Sequence, residues 1–434
     1  MERVLAPFFI PRLERQAFGT NQFAYRKAHG SRDAIAFYVL SWIFEFNVGN
    51  KIAVYASDVA GAFDRVSRSL LLRKLAAHGL PRSMLGVLES WLRDRPGHVV
   101  IGGSKSSRMC LSQMVFQGTV WGPSLWNTFF GDSICVLEAN GFTVVIFADD
   151  YNAFKTYSSN TSNHLILTEL AEAQRELHRW GQASQVTFDA GKEHFAILST
   201  VEPHGEPIKL LGVSFDPKLQ MGEAVRECIV DASWRMRTLM RTRRMHTTGD
   251  LILLFKSHIL SFLEYRTAAI YHACTTILCG LDRILERFLR DIGVPEIDAL
   301  MSFNLAPLST RRDIAMLGLM HRTVLGEGPP QFKKWFEIES AQALRRSARQ
   351  ARNTVRPLKT LEPGRQLCVF RRSAFGLIGI YNMLPNSVVA HDSVKTFQAA
   401  LSQLVRREAA CDNPRWRDLF SPRLPFHRHP VRVL

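Results

Sequence analysis

Three aspartates of this sequence stand where apolar, strand-like runs end. Asp58 follows the run 51–57, and Asp149 and Asp150 follow the run that begins at Thr143. Magnesium prefers hard oxygen ligands and leaves its remaining positions to water and substrate phosphates. Two such ions, about 3.5–4 Å apart, can activate an attacking hydroxyl and stabilise a leaving phosphate oxygen. An isolated Asp-Asp pair more often lies in a turn or caps a helix, so the metal site is one of two interpretations.

The elements around these aspartates should bring them together. Apolar spacing predicts a helix over 31–48 and a strand over 51–58. Strands over 143–148 and 151–157 would place Asp149 and Asp150 at a hairpin tip. Further elements are predicted as helices over about 67–78, 84–92 and 168–180, a helix opening at Gly122-Pro123, a hairpin joining 98–102 to 108–111, a strand over 209–215, and helices beyond 222.

The chain carries a strong excess of positive charge. It has 55 Lys and Arg against 39 Asp and Glu, a formal net charge of +16, so a polyanion such as nucleic acid is the first partner to expect. Many arginines recur at spacings that would put them on one helix face, either solvated or in contact with phosphates. The two clusters are Arg235, Arg237, Arg241, Arg243 and Arg244, and Arg345, Arg346, Arg349, Arg352 and Arg356.

Length and composition exclude several classes of protein. The 434 residues allow two or three packed units, and 46% hydrophobic with 22% charged residues exclude a disordered or fibrous chain. Because no apolar run approaches a membrane span and no leader or lipid signal is found, a soluble, intracellular protein without a membrane partner is expected. The seven cysteines lack zinc-finger spacing, which predicts reduced thiols and no structural zinc.

Several short segments form an ordered set of motifs. They are Gln22–Lys27, Asp58–Asp64, Gln117–Pro123, Phe147–Asp150, Asp189–Lys192 and Leu210–Val213. In this order they resemble the finger motif and the five palm motifs of the reverse transcriptases of non-LTR (LINE-type) retrotransposons. The region Arg371–Phe397 is similar to the segment that follows the polymerase in many such elements, so the resemblance covers nearly the whole chain. Ala24 and Phe116 depart from the usual glycine and proline of the motifs.

The resemblance implies a catalytic centre built from these motifs. Asp58, Asp149 and Asp150, with the backbone carbonyl of Val59, would bind two Mg²⁺ ions, or Mn²⁺ in their place. Lys192 would be the general acid that protonates the departing pyrophosphate, although an exposed loop lysine is the plainer interpretation.

The resemblance also implies contacts to the incoming nucleotide. Phe63 would be a sugar gate whose bulk excludes a ribose 2′-OH, and Gln117 and Gly118 would line the nucleotide and the template. Arg26 and Lys27 would meet the triphosphate or the template from the fingers. The plainer interpretations are a core phenylalanine for Phe63 and an ordinary turn for Gln117 and Gly118.

The resemblance implies an α+β, right-hand polymerase fold. Partial fingers would occupy residues 1–50, a palm of antiparallel sheet and helices with interleaved finger elements 51–215, a helical thumb 216–300, and a basic helical C-terminal region 301–434. Early finger strands are expected to be missing, because members of this family usually have them ahead of the position of Met1. The element, if whole, would be longer.

The implied function is RNA-directed DNA synthesis, in which a primer 3′-OH attacks the α-phosphate of a dNTP and pyrophosphate leaves. The partners would be an RNA template, a DNA primer with its product duplex, and dNTPs, with the arginine clusters on nucleic acid. One alternative is a retrotransposon-derived fragment that binds nucleic acid through its basic surface without polymerising. A host-adopted RNA-templated polymerase is a third interpretation. The sequence leaves oligomeric state, template specificity and compartment open.

Overall fold

A computed structural model describes all residues except Asp94, Ser112–Gln113, 340–352, Pro363 and 365–366. The described residues form helices and antiparallel strands, which confirms the expected α+β class. They divide into two compact units. The first unit comprises residues 1–34, 51–198 and 202–208, and the second comprises 35–50, 199–201 and 209–434.

Helices and strands are numbered along the chain. Up to residue 210 they are α1 (Glu2–Gln16), α2 (Ser31–Val48), β1 (Lys51–Asp58), α3 (Arg68–Ala77), α4 (Arg82–Leu92), β2 (Arg95–Gly97), β3 (Val100–Ile101), β4 (Ser104–Lys105), β5 (Met109–Leu111), α5 (Gly122–Phe130), α6 (Ser133–Glu138), β6 (Thr143–Phe147), β7 (Asp150–Tyr157), α7 (Asn163–Ser184), β8 (His194–Leu198) and β9 (Ile208–Leu210). Beyond it they are β10 (Val213–Phe215), α8 (Gly222–Arg241), α9 (Thr248–Phe255), α10 (Ser261–Tyr265), α11 (Thr267–Ile270), α12 (Thr275–Ile292), α13 (Glu296–Phe303), α14 (Leu308–Val324), α15 (Leu367–Arg372), α16 (Leu377–Met383), α17 (Asn386–Val389) and α18 (Val394–Ala410).

The first unit contains a four-stranded antiparallel sheet, with the strands in the order β6, β7, β1, β8. Strand β1 lies between two neighbours, and its residues from Lys51 to Ser57 are all buried. A strand covered on both faces has no solvent side, so its apolar residues follow one another without alternation. This burial explains the apolar run and confirms the strand predicted over 51–58.

Helix α7 packs against β1 and β8. Its buried apolar residues recur at intervals of three and four positions, which places them on one face of the helix. They are Ile166, Leu170, Ala173 and Leu177. The Ser162 hydroxyl accepts a hydrogen bond from the Leu165 amide and caps the first turn. The helix predicted over 168–180 is therefore confirmed, and it extends beyond both predicted ends.

The single strand predicted over 209–215 is wrong. The chain forms two short strands there, β9 and β10, which pair with each other. Leu211 and Gly212 between them have φ angles of 48° and 77°, and a turn with two positive φ angles matches the twist of a tight hairpin. A leucine gives no turn signal, which is why the apolar pattern conceals the break.

The hairpin predicted to join 98–102 to 108–111 differs in register from the structure. The inner pair is β3 with β4, whose last paired residues are Ile101 and Ser104. The outer pair is β2 with β5. The turn therefore falls on Gly102 and Gly103, so residue 102 belongs to the turn and not to the predicted strand 98–102.

Helices dominate the second unit, as predicted beyond residue 222. Helix α12 packs against α8, and α14 packs against α18. One face of α12 is apolar and buried, with Leu278, Leu281, Ile284, Leu285 and Phe288 among its residues. The Phe288 ring stacks on Phe255 of α9 with ring centroids 4.2 Å apart. Within the described ranges, no helix is both long enough and apolar enough to cross a membrane. All seven cysteines are free thiols.

Candidate active site

The central sheet places Asp58 and Asp150 directly opposite each other. They are partners in the register of β1 and β7, and directly opposed residues of an antiparallel pair point to the same face with Cβ atoms about 4.5–5.5 Å apart. Phe147 pairs with Asp150 across the β6–β7 hairpin, so Ala148 and Asp149 form a two-residue turn. The structure therefore brings the three aspartates to one end of the sheet.

Ala148 gives this turn an uncommon backbone. Its φ is 60°, a left-handed value that favours glycine and that turns of this length require at their first central position. The alanine is held there from the interior, because the Trp126 indole donates a 2.8 Å hydrogen bond to the Ala148 carbonyl. The neighbouring Asp149 is thus carried by a fixed turn.

The carboxylates disfavour one another's ionised forms. Burial raises the pKa of Asp150 to about 6, and the charges of Asp149 and Asp58 add to the effect. Burial also raises the pKa of Asp149, reinforced by Asp58 and opposed by a hydrogen bond from its own backbone. Partly buried carboxylates that repel one another favour a cation between them, which is the electrostatic property expected of a metal site.

A lysine supplies positive charge beside this group. The Lys192 ammonium donates a hydrogen bond to Asp58 Oδ2 and lies 3.8 Å from Asp189 Oδ2. The hydrogen bond to Asp58 raises the pKa of Lys192. Lys192 sits on a short helical turn that follows Asp189, and the Asp189 amide donates to the Asp58 carbonyl at 2.9 Å. The structure therefore holds the fourth predicted catalytic residue against the first.

A buried glutamate anchors the turn that carries Lys192, and no sequence motif pointed to it. Glu193 accepts hydrogen bonds from the Tyr55 hydroxyl and, at 2.8 Å, from the Gln174 amide, and His178 Nε2 lies 2.8 Å from Glu193 Oε1. Burial acts to raise the pKa of Glu193, but these hydrogen bonds lower it below its ordinary value. Glu193 therefore remains an anion that fixes the loop to β1 and α7.

The oxygen-rich donor set fits a divalent metal ion, but the side chains are not arranged as a finished cage. Among the described residues, no group of three His, Cys, Asp or Glu side chains holds the geometry of a metal site. Asp58 instead forms an ion pair with the Lys192 ammonium, so a side-chain cation neutralises this carboxylate. Val59 and Phe188 form an isolated β-bridge, whose hydrogen bonds are made by the Asp58 carbonyl and the Ala60 amide. Neither of these hydrogen bonds uses the Val59 carbonyl.

The ring of Phe63 is half-buried and packs against the apolar core of the first unit. It stacks on Trp126 with centroids 5.6 Å apart and an interplanar angle of 25°. The Phe63 carbonyl accepts a 2.8 Å hydrogen bond from the Val115 amide, which ties the first palm motif to the loop of the second. The role of Phe63 as a sugar gate stays a prediction.

Gln117 and Gly118 lie on an exposed turn that continues this loop. Gly118 has a φ of 78°, and a Cβ built there would meet no atom within 4 Å. The left-handed backbone, not crowding inside the chain, is therefore what requires glycine. The turn is open to a ligand, as the prediction needs.

Arg26 is engaged inside the chain. Its guanidinium donates to the carbonyls of Gly19 and Gln22 at 2.8 and 3.3 Å and lies 3.5 Å from Glu14. These contacts hold the finger segment in place and occupy donors that the prediction reserved for phosphate. Lys27 is exposed. The phosphate-binding roles of both residues remain predictions.

The first arginine cluster lies at the C-terminal end of α8 and just beyond it. Arg235 packs its guanidinium over the Phe262 ring at 4.2 Å and donates to the His258 carbonyl at 3.2 Å, so it serves the packing of the second unit. All five members are exposed, and the four besides Arg235 are Arg237, Arg241, Arg243 and Arg244. Trp234, which sequence reasoning missed, is 62% exposed among them. Arg345, Arg346 and Arg349 lie outside the described residues.

Comparison with known proteins identifies a family match in the N-terminal part of the chain. Residues 1–215 match the family of reverse transcriptases (RNA-dependent DNA polymerases). The chain is 26% identical over 267 residues to the RNA-directed DNA polymerase from mobile element jockey of Drosophila melanogaster, covering 56% of this chain and 28% of that protein. It is 28% identical over 214 residues to the probable RNA-directed DNA polymerase from transposon BS of the same species, covering 48% and 23%.

A third relative is the retrovirus-related Pol polyprotein from type-1 retrotransposable element R1 of Bradysia coprophila. The identity is 25% over 229 residues, covering 50% of this chain and 22% of that protein. The chain thus spans about a quarter of the length of these curated relatives. The resemblance to non-LTR retrotransposon enzymes is confirmed, and residues 1–215, which contain all the palm motifs, belong to the reverse transcriptase family.

Proposed function

We propose that this chain is an RNA-directed DNA polymerase that joins a dNTP to a primer 3′-OH with release of pyrophosphate. The observation that carries the proposal is the direct pairing of Asp58 with Asp150, with Asp149 in the adjoining turn. Carboxylates that come from two adjacent strands and share one face can bind metal ions for nucleotidyl transfer. This arrangement favours the metal-site interpretation over an Asp-Asp pair that only forms a turn or caps a helix. The similarity to polymerases of mobile elements supports the same reaction.

Asp58, Asp149 and Asp150, with the Val59 carbonyl, would hold two Mg²⁺ ions, or Mn²⁺ in their place. When bound, the ions supply activation of the primer hydroxyl and neutralise charge on the phosphates. The raised pKa values of Asp149 and Asp150 support this assignment, because a cation relieves the repulsion that causes part of each shift.

Lys192 would give its proton to an oxygen of the departing pyrophosphate. The hydrogen bond to Asp58 raises the pKa of Lys192, which keeps the side chain a protonated ammonium but makes it a weaker acid. The proton would therefore be given only once that bond is exchanged for one to the leaving oxygen. The Lys192 side chain remains 61% exposed while it is paired with Asp58. This exposure leaves room for a phosphate to approach. Glu193 would act as a positioning residue by fixing the turn beneath Lys192.

Phe63 would exclude ribonucleotides, and Gln117 and Gly118 would line the nucleotide and template. Arg26 and Lys27 would serve the triphosphate or template from the fingers, Arg26 only after leaving the carbonyls that it now binds. We assign partial fingers to residues 1–50, the palm to 51–215, the thumb to 216–300 and a basic region to 301–434.

The exposed arginines of the second unit would bind the phosphates of template and product duplex. Arg237, Arg241, Arg243 and Arg244 are exposed, and none of them shares an ion pair with an acid among the described residues. The exposed Trp234 beside them offers a flat ring for stacking or groove contact. Arg235 would contribute less, because its guanidinium packs on Phe262.

The direct test is dNTP incorporation by the purified chain on a DNA primer annealed to an RNA template. We expect extension with Mg²⁺, none with a chelator, and unchanged template affinity when the metal is removed, because the arginine surface does not need it. Binding without extension under every metal condition would instead identify a nucleic-acid-binding fragment that does not polymerise.

A further inference from the structure

Tyr25 has a backbone conformation that a bulky residue rarely adopts. Its φ is 57°, in the left-handed region where glycine is favoured and large side chains are uncommon. The side chain is also 50% exposed, so burial of apolar area does not explain why a ring stands at this strained position. Backbone strain of this kind persists where the surrounding structure enforces it, and it concentrates at functional sites.

The neighbours of Tyr25 hold this conformation from both sides. The Ala24 amide donates to the Gln22 side chain at 2.9 Å, and the Asn127 amide of α5 donates to the Ala24 carbonyl at 3.0 Å. On the other side, Arg26 is clamped by the carbonyls of the preceding loop. The strained position is therefore built into the chain and does not belong to a loose loop.

The ring that this backbone presents meets Phe63. The two rings lie edge to face, with centroids 6.4 Å apart and an interplanar angle of 89°. Phe63 has a second aromatic neighbour in Trp126, whose indole is anchored to the turn before Asp149. Burial raises the pKa of the Tyr25 phenol, and the negative charge of Asp149 adds to this effect. The finger segment thus contacts Phe63 through the Tyr25 ring.

We propose that Tyr25 is a specificity-determining residue for the sugar of the incoming nucleotide, because its ring fixes the Phe63 ring where it excludes a 2′-OH. This inference rests on the proposed polymerase function. A gate rejects a hydroxyl only if its ring cannot turn aside, and Trp126 contacts Phe63 in a stacked arrangement that leaves sliding motions open. The edge-to-face contact from Tyr25 restrains the ring in a second direction. The contact uses the ring and not the phenol hydroxyl.

The experiment measures nucleotide affinity and needs no turnover. The full chain is bound to an RNA template with a dideoxy-terminated DNA primer in Mg²⁺, and the Kd values of the matching dNTP and rNTP give a discrimination ratio. Tyr25→Phe should keep the wild-type ratio, because it keeps the ring. Tyr25→Leu and Tyr25→Gly should lower the ratio by a factor between about 3 and 10, the range that one aromatic pair contributes. Glycine adopts a φ of 57° without strain, so Tyr25→Gly tests removal of the ring even if Tyr25→Leu fails to fold.

Phe63→Ala separates this inference from the proposed function. It should lower the ratio by itself, and adding Tyr25→Gly to it should lower the ratio no further, because both changes disable one gate. If Phe63→Ala lowers the ratio and both ring-removing variants of Tyr25 retain it, the role of Tyr25 is refuted and the gate stands. If neither position matters, gate and partner are both refuted. Absence of dNTP binding by the wild-type complex would refute the polymerase proposal and this inference together.

Discussion

Asp58 and Asp150 are paired residues of two neighbouring antiparallel strands, β1 and β7. The first and the third palm motif are far apart in sequence. The pairing of β1 with β7 brings them together through backbone hydrogen bonds and not through a flexible loop. Both carboxylates then share one face. A site built on strands in this way holds its geometry before any ligand arrives, and burial, with the charges of Asp149 and Asp58 added, raises the pKa of Asp150.

The burial of Asp150, together with the charges of Asp149 and Asp58, should make the metal-free protein less stable as the pH rises. The pKa of Asp150 is about 6 in the folded chain against an ordinary value of 3.8. Between these values the folded chain binds more protons than the unfolded chain, so the free energy of unfolding falls as pH increases. Asp150→Asn should therefore raise the free energy of unfolding by about 1–3 kcal/mol near neutral pH and change it little below about pH 3.5.

Urea denaturation in the presence of a chelator measures this difference. The exposed Asp298 provides the control, and Asp298→Asn should show no gain that depends on pH. An Asp150→Asn variant with the wild-type stability at neutral pH would show that the fold does not disfavour the ionised form of Asp150.

Lys192 should affect the chemical step more than nucleotide binding. Lys192→Met removes the ammonium whose proton the mechanism uses, so kcat should fall by about 10²-fold or more, with a much smaller change in the KM for dNTP. Single-nucleotide extension on a primed RNA template measures both. Lys218→Met, a change at an exposed lysine, is the matched control. A rise in KM at constant kcat would assign Lys192 to binding instead.

Glu193 should be needed for the position of Lys192. Glu193→Gln removes the negative charge that accepts from Tyr55, Gln174 and His178, and a buried donor left without its acceptor costs about 1–3 kcal/mol. We expect a lower Tm and a reduced kcat, with the dNTP KM nearly unchanged. Normal kcat in a destabilised variant would show that the network serves the fold alone.

The exposed arginines should determine the salt dependence of nucleic-acid binding. Replacing Arg237, Arg241 and Arg244 by Gln leaves three phosphates without their cationic partners. For each such phosphate, the plot of log K against log[salt] should flatten by about 0.7–0.9 unit. The slope should therefore flatten by roughly two units in the triple variant, with little change in sequence preference.

A second triple variant controls for net charge in that titration. Arg93, Arg175 and Arg226 each lie beside an acid one helical turn away. Their replacement by Gln removes the same charge from positions with no proposed contact, so the slope should stay near that of the wild type. Equal slopes for all three proteins would show that Arg237, Arg241 and Arg244 face solvent and bind no phosphate.

The sequence predicted the parts of the site that depend on local pattern. The strand 51–58 and the helix 31–48 were predicted with the bounds that the structure has, because β1 is buried along its length and α2 is bounded by Ser31 and Gly49. Asp58 ends β1 as predicted, but the hairpin turn is Ala148–Asp149, one residue earlier than predicted, so Asp150 is the first residue of β7 and not part of the tip. Their identification as a polymerase centre came from family motifs and not from these patterns.

Other features depend on contacts that no local pattern encodes. The hydrogen-bond partners of Glu193 come from β1 and α7. The Arg26 guanidinium donates to carbonyls of a loop that is held by a β-bridge to Ile146. Leu211 adopts a positive φ that its residue type does not announce. Each outcome is decided by tertiary packing, which can override the preference of the residue itself.

The most direct test of the proposed centre is the single-turnover rate of dNTP addition by Asp58→Asn on a saturating primed RNA template with Mg²⁺. The two-metal mechanism predicts that this rate becomes undetectable while template affinity and Tm stay close to wild type, because the change removes one charged ligand and almost no volume. Asp298→Asn should retain the wild-type rate. Incorporation by Asp58→Asn at the wild-type rate would contradict the assignment of this carboxylate, and with it the proposed catalytic centre.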